Sequence, residues 1–260
     1  MSEGKKMLHI ALSEDQISKY VFLPGSPERV PKIAAYLDDA KKIAQNREHT
    51  TYEGYLNGVR VLVTSTGMGG PSAIICLEEL SKLGADTFIR VGTCASVSPK
   101  VERGDIVIPN GAVRMEGTSS HFLPMEYPAV PDYFLVRKME EAAIELGYKY
   151  DVGVTITKDS FYTQVEPETR PIGPELKFRW DSYEKGGATS TSMECAPLFI
   201  AAGSLGLRMA SVMVSATNCK SYGNDSTVYP TDMEKRAIIT SIEGMKKVIE
   251  EDGGDGIMER

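Results

Sequence analysis

The sequence predicts an α/β fold: a single domain built as a three-layer α/β/α sandwich with a mixed central sheet. Three observations predict it. Short apolar segments of strand character alternate with segments of helical spacing along the chain. The boundaries carry turn chemistry at Pro24-Gly25, Asn57-Gly58, Gly84, Gly147 and Gly206. No linker, internal repeat or low-complexity block interrupts the 260 residues, so one domain over 1–260 is expected, with a frayed tail from about residue 252.

Taken in order, residues 20–23 read as a strand halted by Pro24-Gly25. Residues 27–37 have helical spacing, with Val30, Ile33, Ala34 and Leu37 on one face. Ser26 fits the N-cap of that helix and Pro27 its first position. Residues 44–56 and 59–65 read as two strands joined through Asn57-Gly58, a hairpin signal. Residues 71–83 form an amphipathic helix stopped by Gly84. Strands follow at 87–91 and 106–109, a helix at 133–146, a strand at 152–157 and a helix at 175–184. A helix at 195–205, a strand at 209–214 and a long helix at 232–251 complete the pattern. Several strand pairs read as antiparallel, hence a mixed sheet.

Composition narrows the function. At 42% hydrophobic residues the chain can build a sizeable core. A net charge of −7 argues against a nucleic-acid backbone as partner. It leaves room for a small anion, because a few Arg residues in one pocket override the global charge. The four cysteines form no CxxC pair, which disfavours a zinc knuckle or a thioredoxin motif. No metal ligand set is expected. Buried thiols suit a reducing cytoplasm. The N-terminal apolar stretch is too short and interrupted for a signal peptide. No run reaches the roughly 18 apolar residues of a membrane span. A cytoplasmic protein without membrane contact is expected.

Five segments could carry chemistry. Residues 23–29, LPGSPER, join a strand to a helix start, where free N–H groups and the helix dipole attract anions. There Gly25 permits close approach and Arg29 adds a donor fork. The same pattern also describes a tight turn with a solvated Arg. Residues 65–73, STGMGGPSA, are Gly-rich but match no P-loop, and lack the glycine spacing and βαβ context of a dinucleotide site. They suit either a packing turn or contact with a sugar or phosphate. Arg90 stands in an otherwise apolar strand before Gly92-Thr93, so its guanidinium needs an anion or a structural carboxylate. Glu194 sits at a strand–helix junction, as a cap or as an acceptor for sugar hydroxyls. Lys158, Phe161, Tyr162 and Gln164 end a strand with a cation, two aromatics and an amide. That set can grip a flat heterocycle, and also occurs in polar loops.

Together and in this order, the segments PGSPERV, REHTTYEG, STGMGGPSA, FIRVGTCAS, HFLPMEYPAV, KDSFYTQ and SMECA resemble the nucleoside phosphorylase-I superfamily, within its uridine phosphorylase branch. The resemblance runs from about His9 to the terminal helix. It implies a mixed-sheet α/β sandwich assembled as a homo-hexamer, a trimer of dimers. By position, Gly25, Arg29, Arg90 and Thr93 match phosphate ligands, and Arg47 matches an Arg lent by the neighbouring subunit. His9 matches a histidine lent toward the ribose 5′-hydroxyl. Thr93, Met193 and Glu194 match ribose contacts, with Glu194 on the 2′- and 3′-hydroxyls. Phe161 matches the ring against the base, and Gln164 the amide that reads uracil. Lys158 matches a lysine of one subfamily that contacts a uracil carbonyl.

The resemblance also has departures. The usual acidic residue after Pro-Gly is Ser26. An Arg two residues after the uracil-reading Gln in one branch is Glu166, a His directly after it in the lysine-bearing subfamily is Val165, and a carboxylate of the ribose motif is Ser192. Purine-specific relatives carry an Asp after a late-strand Ser, whereas here Ser215 is followed by Ala216. Glu48, Met68 and Ser72 match positions that hold a monovalent cation at the dimer interface in some relatives.

The implied reaction is phosphorolysis of uridine, and of 2′-deoxyuridine if Glu194 holds the 3′-hydroxyl alone. No cofactor is implied, and inorganic phosphate is the co-substrate. Such a site needs no protein nucleophile: it must hold phosphate, align it, and stabilise a base leaving as an anion. Arg90, Lys158, Gln164 and Glu194 are the expected catalytic set. His9, His49 and His121 form no recognisable triad motif. The alternatives are a purine or broad-specificity phosphorylase, a hydrolytic nucleosidase of the same fold, and a nucleoside-binding protein without activity.

Overall fold

The computed structural model describes residues 5–219 and 231–253. Nine strands form one mixed sheet in the order β2-β3-β4-β1-β5-β8-β7-β6-β9. They are β1 (Tyr20–Pro24), β2 (Asp38–Asn46), β3 (His49–Leu56), β4 (Val59–Thr64), β5 (Thr87–Ser96), β6 (Ile106–Met115), β7 (Tyr150–Lys158), β8 (Ser190–Ser192) and β9 (Arg208–Asn218). β5 also pairs with β9 along its whole length. The sandwich is therefore open on one side and closes on the other into a ring of β5, β8, β7, β6 and β9.

Seven α-helices accompany the sheet among the described residues: α1 (Val30–Ala34), α2 (Gly70–Leu83), α3 (Tyr133–Glu145), α4 (Tyr162–Val165), α5 (Gly173–Lys185), α6 (Cys195–Ser204) and α7 (Thr231–Glu251). Period-two alternation assigns the strand faces. Val21 and Leu23 point to a core shared with Leu77 and Leu80 of α2 and Leu198 and Phe199 of α6. Tyr20 and Phe22 point to the opposite core, with Ile33, Met139 and Met245 of α1, α3 and α7. In β5, Phe88 belongs to the first face and Ile89 and Val91 to the second, which puts Arg90 on the α2/α6 side. None of the described helices is long and apolar enough to cross a membrane.

Several expectations needed correction. Residues 44–56 are not one strand: β2 ends at Asn46 and β3 begins at His49, with Arg47 at φ 51° in the turn. No glycine marks this reversal, so the turn signal was absent. The expected hairpin at Asn57-Gly58 is there, with φ of 50° and 77°, the left-handed pair that such a turn requires. The helix expected over 27–37 is a 3-10 turn, Pro27–Arg29, followed by the short α1. Ser26 does cap it, accepting from Glu28 N at 3.2 Å. The Gly-rich segment 65–73 stands in a β–α–β unit after all, because β4 and β5 both run parallel to β1 between them. Strand β8 and helix α4 were not anticipated. At the end of α7, Asp252 is buried and held by Arg208, Tyr20 and Lys19, so the tail is anchored at its first residue. The rest of the tail from residue 254 lies outside the described residues.

Candidate active site

The Pro24-Gly25 loop and the glycine-rich 65–73 loop meet at the ends of the parallel strands β1 and β4. Thr66 N donates to Pro24 O at 2.8 Å and Gly67 N to Gly25 O at 3.0 Å. A side chain on Gly25 would stand 3.4 Å from Gly67 O and 3.9 Å from Arg90 Nη1. Both are ordinary contact distances, so the closeness of this loop to the Arg90 guanidinium does not itself demand a glycine. Gly67 is more constrained, since a Cβ there would lie 2.5 Å from Ser72 Oγ at φ +73°.

Arg90 is 4% exposed. Its Nη2 donates to Glu194 Oε2 at 2.5 Å, while Nε and Nη1 are buried without a partner. The guanidinium is half used by a carboxylate and half unsatisfied. Buried donors of a charged group rarely go unpaired, and here they offer two N–H directions to an anion. Glu194 occupies the N-cap position of α6 but caps nothing with its side chain. It instead accepts from Gly69 N at 2.9 Å, Met193 N at 3.2 Å and Arg90. The carboxylate partner expected for Arg90 is Glu194, and Glu194 is no helix cap.

These groups line a cavity of about 410 Å³, within the usual range for small-molecule sites. Arg90, Thr93, Lys158, Phe161, Gln164, Met193 and Glu194 all face it. Lys158 is buried, its Nζ 2.8 Å from Thr191 Oγ1 and 5.7 Å from the centre of the Phe161 ring. No carboxylate among the described residues pairs with it. Burial pulls its pKa from 10.5 down to about 8, with weak opposition from Cys219, Glu194 and Cys94. At about 8, that pKa leaves the lysine largely an ammonium at neutral pH, unpaired with any carboxylate among the described residues. A second cavity of about 550 Å³ between α4 and α5 shares Gln164 but none of Arg90, Lys158 or Glu194.

Four site candidates stand outside the cavity wall: Gly25, Arg29, His9 and Arg47. Arg29 donates through Nε to Glu234 at 2.5 Å and through Nη1 to Val91 O at 3.2 Å. His9 Nδ1 lies 2.6 Å from Glu79 Oε1, and Glu79 also accepts from the backbone of His9 and Ile10. Arg47 is exposed at the β2–β3 turn. Tyr162, the second aromatic of the 158–164 segment, lines the cavity too, while sequence reading missed Thr191 and Cys219 there. Thr191 sits in a strand of three polar residues, too short to signal itself. Cys219 is half-buried just after β9, and desolvation there pushes its pKa up to about 11. Ala216, at the position where a purine-directed acid was sought, is part of the wall.

Residues 19–249 match the sequence profile of the Phosphorylase superfamily. The chain belongs to that superfamily. Within it, the chain is 41% identical to a uridine phosphorylase of Thermococcus kodakarensis, over 96% of this chain and 90% of that protein. It is 39% identical to a uridine phosphorylase of Treponema pallidum, over 94% and 95%. A guanosine phosphorylase of Halorubrum lacusprofundi is 34% identical, over 80% and 81%. In this member the cavity holds a guanidinium with two buried unbonded nitrogens and an ammonium bonded to a threonine hydroxyl.

Proposed function

We propose that this chain catalyses the reversible phosphorolysis of uridine, and of 2′-deoxyuridine, to uracil and the corresponding sugar 1-phosphate. The observation that carries the reading is one cavity holding a half-satisfied Arg90 and a Lys158 unpaired with any carboxylate among the described residues. Phosphate, held by Arg90, Thr93 and the Gly25 loop, attacks the anomeric carbon. As its oxygen bonds to that carbon, the bond to the base nitrogen breaks and its electron pair leaves with uracil. The charge spreads onto the carbonyl oxygens, where Lys158 and Gln164 stabilise it. A carboxylate has about four acceptor positions, and three donors already occupy Glu194. One ribose hydroxyl fills the remainder, which supports acceptance of the 2′-deoxy substrate.

The uridine phosphorylase names of the first two relatives support the pyrimidine reading. The guanosine phosphorylase relative favours a purine alternative, against which Ala216 offers no proton donor in the wall. The test is release of free base from uridine, 2′-deoxyuridine, inosine and guanosine, with and without phosphate. Phosphate-dependent uracil release is expected; phosphate-independent release overturns phosphorolysis, and faster purine release overturns the base assignment.

The reading extends to a cytoplasmic homo-hexamer, a trimer of dimers, whose sites are completed by His9 and Arg47 of a neighbouring subunit. Their position outside the cavity of their own chain supports it. A monovalent cation at that interface would use Glu48, Met68 and Ser72; Ser72 Oγ lies 2.9 Å from Glu48 Oε1. Mixed oligomers of inactive Arg47→Ala and Arg90→Ala subunits should regain activity, and absence of rescue refutes site sharing.

A further inference from the structure

Thr191 lines the cavity but takes no direct part in the proposed reaction. It is 3% exposed, on the strand between β5 and β7. Its register is opposite Ala95 on one side and Ile156 on the other. Its hydroxyl donates to Ile156 O at 2.9 Å. The hydroxyl proton being committed there, the oxygen can only accept from Lys158 Nζ, at 2.8 Å. We infer that Thr191 is the positioning residue for Lys158: it holds the buried ammonium in place with an acceptor that carries no charge of its own.

The choice of acceptor matters. A carboxylate at this place would hold Lys158 as firmly but neutralise it, and would repel the departing base. A valine would hold nothing and leave an ammonium buried without a fixed partner. The hydroxyl, locked by the strand carbonyl, orients the cation and keeps its charge available to the cavity. Every element packed around Nζ contributes to the balance. Glu194 faces it from the start of α6, Cys94 from β5 and Cys219 from the end of β9. The two thiols are both raised above neutral pH by burial, so Glu194 is the only formal charge among them. It is already engaged by Arg90. Thr191 is thus the remaining fixed support that favours the ammonium over the amine.

This inference rests on the assignment of Lys158 to the leaving base, so the experiment separates the two. Thr191→Val keeps the β-branched shape and strand propensity. Thr191→Ser keeps the hydroxyl. Phosphorolysis of uridine is measured against pH for both, with Lys158→Ala as the control. A hydrogen bond to a charged group predicts a tenfold to hundredfold fall in kcat for Thr191→Val, roughly. The alkaline limb should move to lower pH, KM for phosphate should hold, and Thr191→Ser should restore most of the rate. A Thr191→Val enzyme with lowered Tm but unmoved limb and kcat overturns the positioning role. Wild-type turnover by Lys158→Ala overturns the Lys158 assignment itself, whatever Thr191 does. If Thr191→Val fails to fold, Thr191→Ala and Thr191→Ser carry the comparison: loss of the limb shift between them refutes the proposal equally.

Discussion

Lys158→Met should abolish uridine cleavage and make the protein more stable. The side chain is 4% exposed and its pKa is pulled by burial from 10.5 to about 8. That difference corresponds to a cost of about 3 kcal/mol for holding the charged form in the folded state. Methionine keeps the length of the chain and removes the cost. It also removes the bond to Thr191, a loss of about 1–2 kcal/mol. The net gain is about 1–2 kcal/mol, a rise of roughly 3–6 °C in Tm. The gain depends on pH. A lowered lysine pKa means the folded state sheds its proton first. The cost is complete below about 8, falls as pH rises toward 10.5, and is gone above it. The Tm advantage of the variant should therefore be present at pH 7 and largely lost at pH 10. Thermal melts of both proteins at both pH values decide it. No gain at pH 7, or an equal gain at pH 10, refutes the claim that Lys158 is a buried cation held at a cost.

Asp252 makes the opposite case. Burial alone would raise its carboxyl, but the Arg208 guanidinium, the Tyr20 hydroxyl and Lys19 outweigh it and hold the pKa at about 2. Its contribution is present above 3.8 and lost as pH falls through about 2. Asp252→Asn should cost about 2 kcal/mol at pH 7 in denaturant titrations, with the gap to wild type closing in acid. Gly67→Ala forces a side chain into φ +73° against Ser72 and Glu48. It should cost about 1–3 kcal/mol and, because the loop backs onto Gly25, raise KM for phosphate more than KM for uridine.

The layered fold and most elements were legible because period-two and helical spacing are strong where one face is buried. Arg90 stood out as a charge in an apolar strand, and Lys158 as a cation at a strand end. What was not legible depended on contacts between distant segments. The Arg90–Glu194 bond joins residues 104 apart, so neither its existence nor its one-sidedness is encoded locally. The closure of the sheet through β5 and β9 is likewise a long-range pairing. The Arg47 turn carries no glycine, and the polar triplet 190–192 has no hydrophobic alternation to mark it as a strand.

The sheet order itself explains why these residues suit one bipartite substrate. Arg90 and Thr93 belong to β5, Met193 and Glu194 follow β8, and Lys158 ends β7. The three strands are consecutive neighbours. At about 4.8 Å per strand, the Ala95–Ser96 end of β5 and β7 stand about 10 Å apart with β8 between them, and on the proposed function these three carry the phosphate, base and sugar contacts respectively. That is the sequence of parts in the reacting assembly: phosphate, sugar, base. The unexpected three-residue β8 supplies that middle position, paired with Ala95 and Ser96 on one side and with Thr155, Ile156 and Thr157 on the other. A strand too short to be read from its own residues therefore stands between the strands that carry Arg90 and Lys158, and Thr191 at its centre is bonded to the Lys158 ammonium.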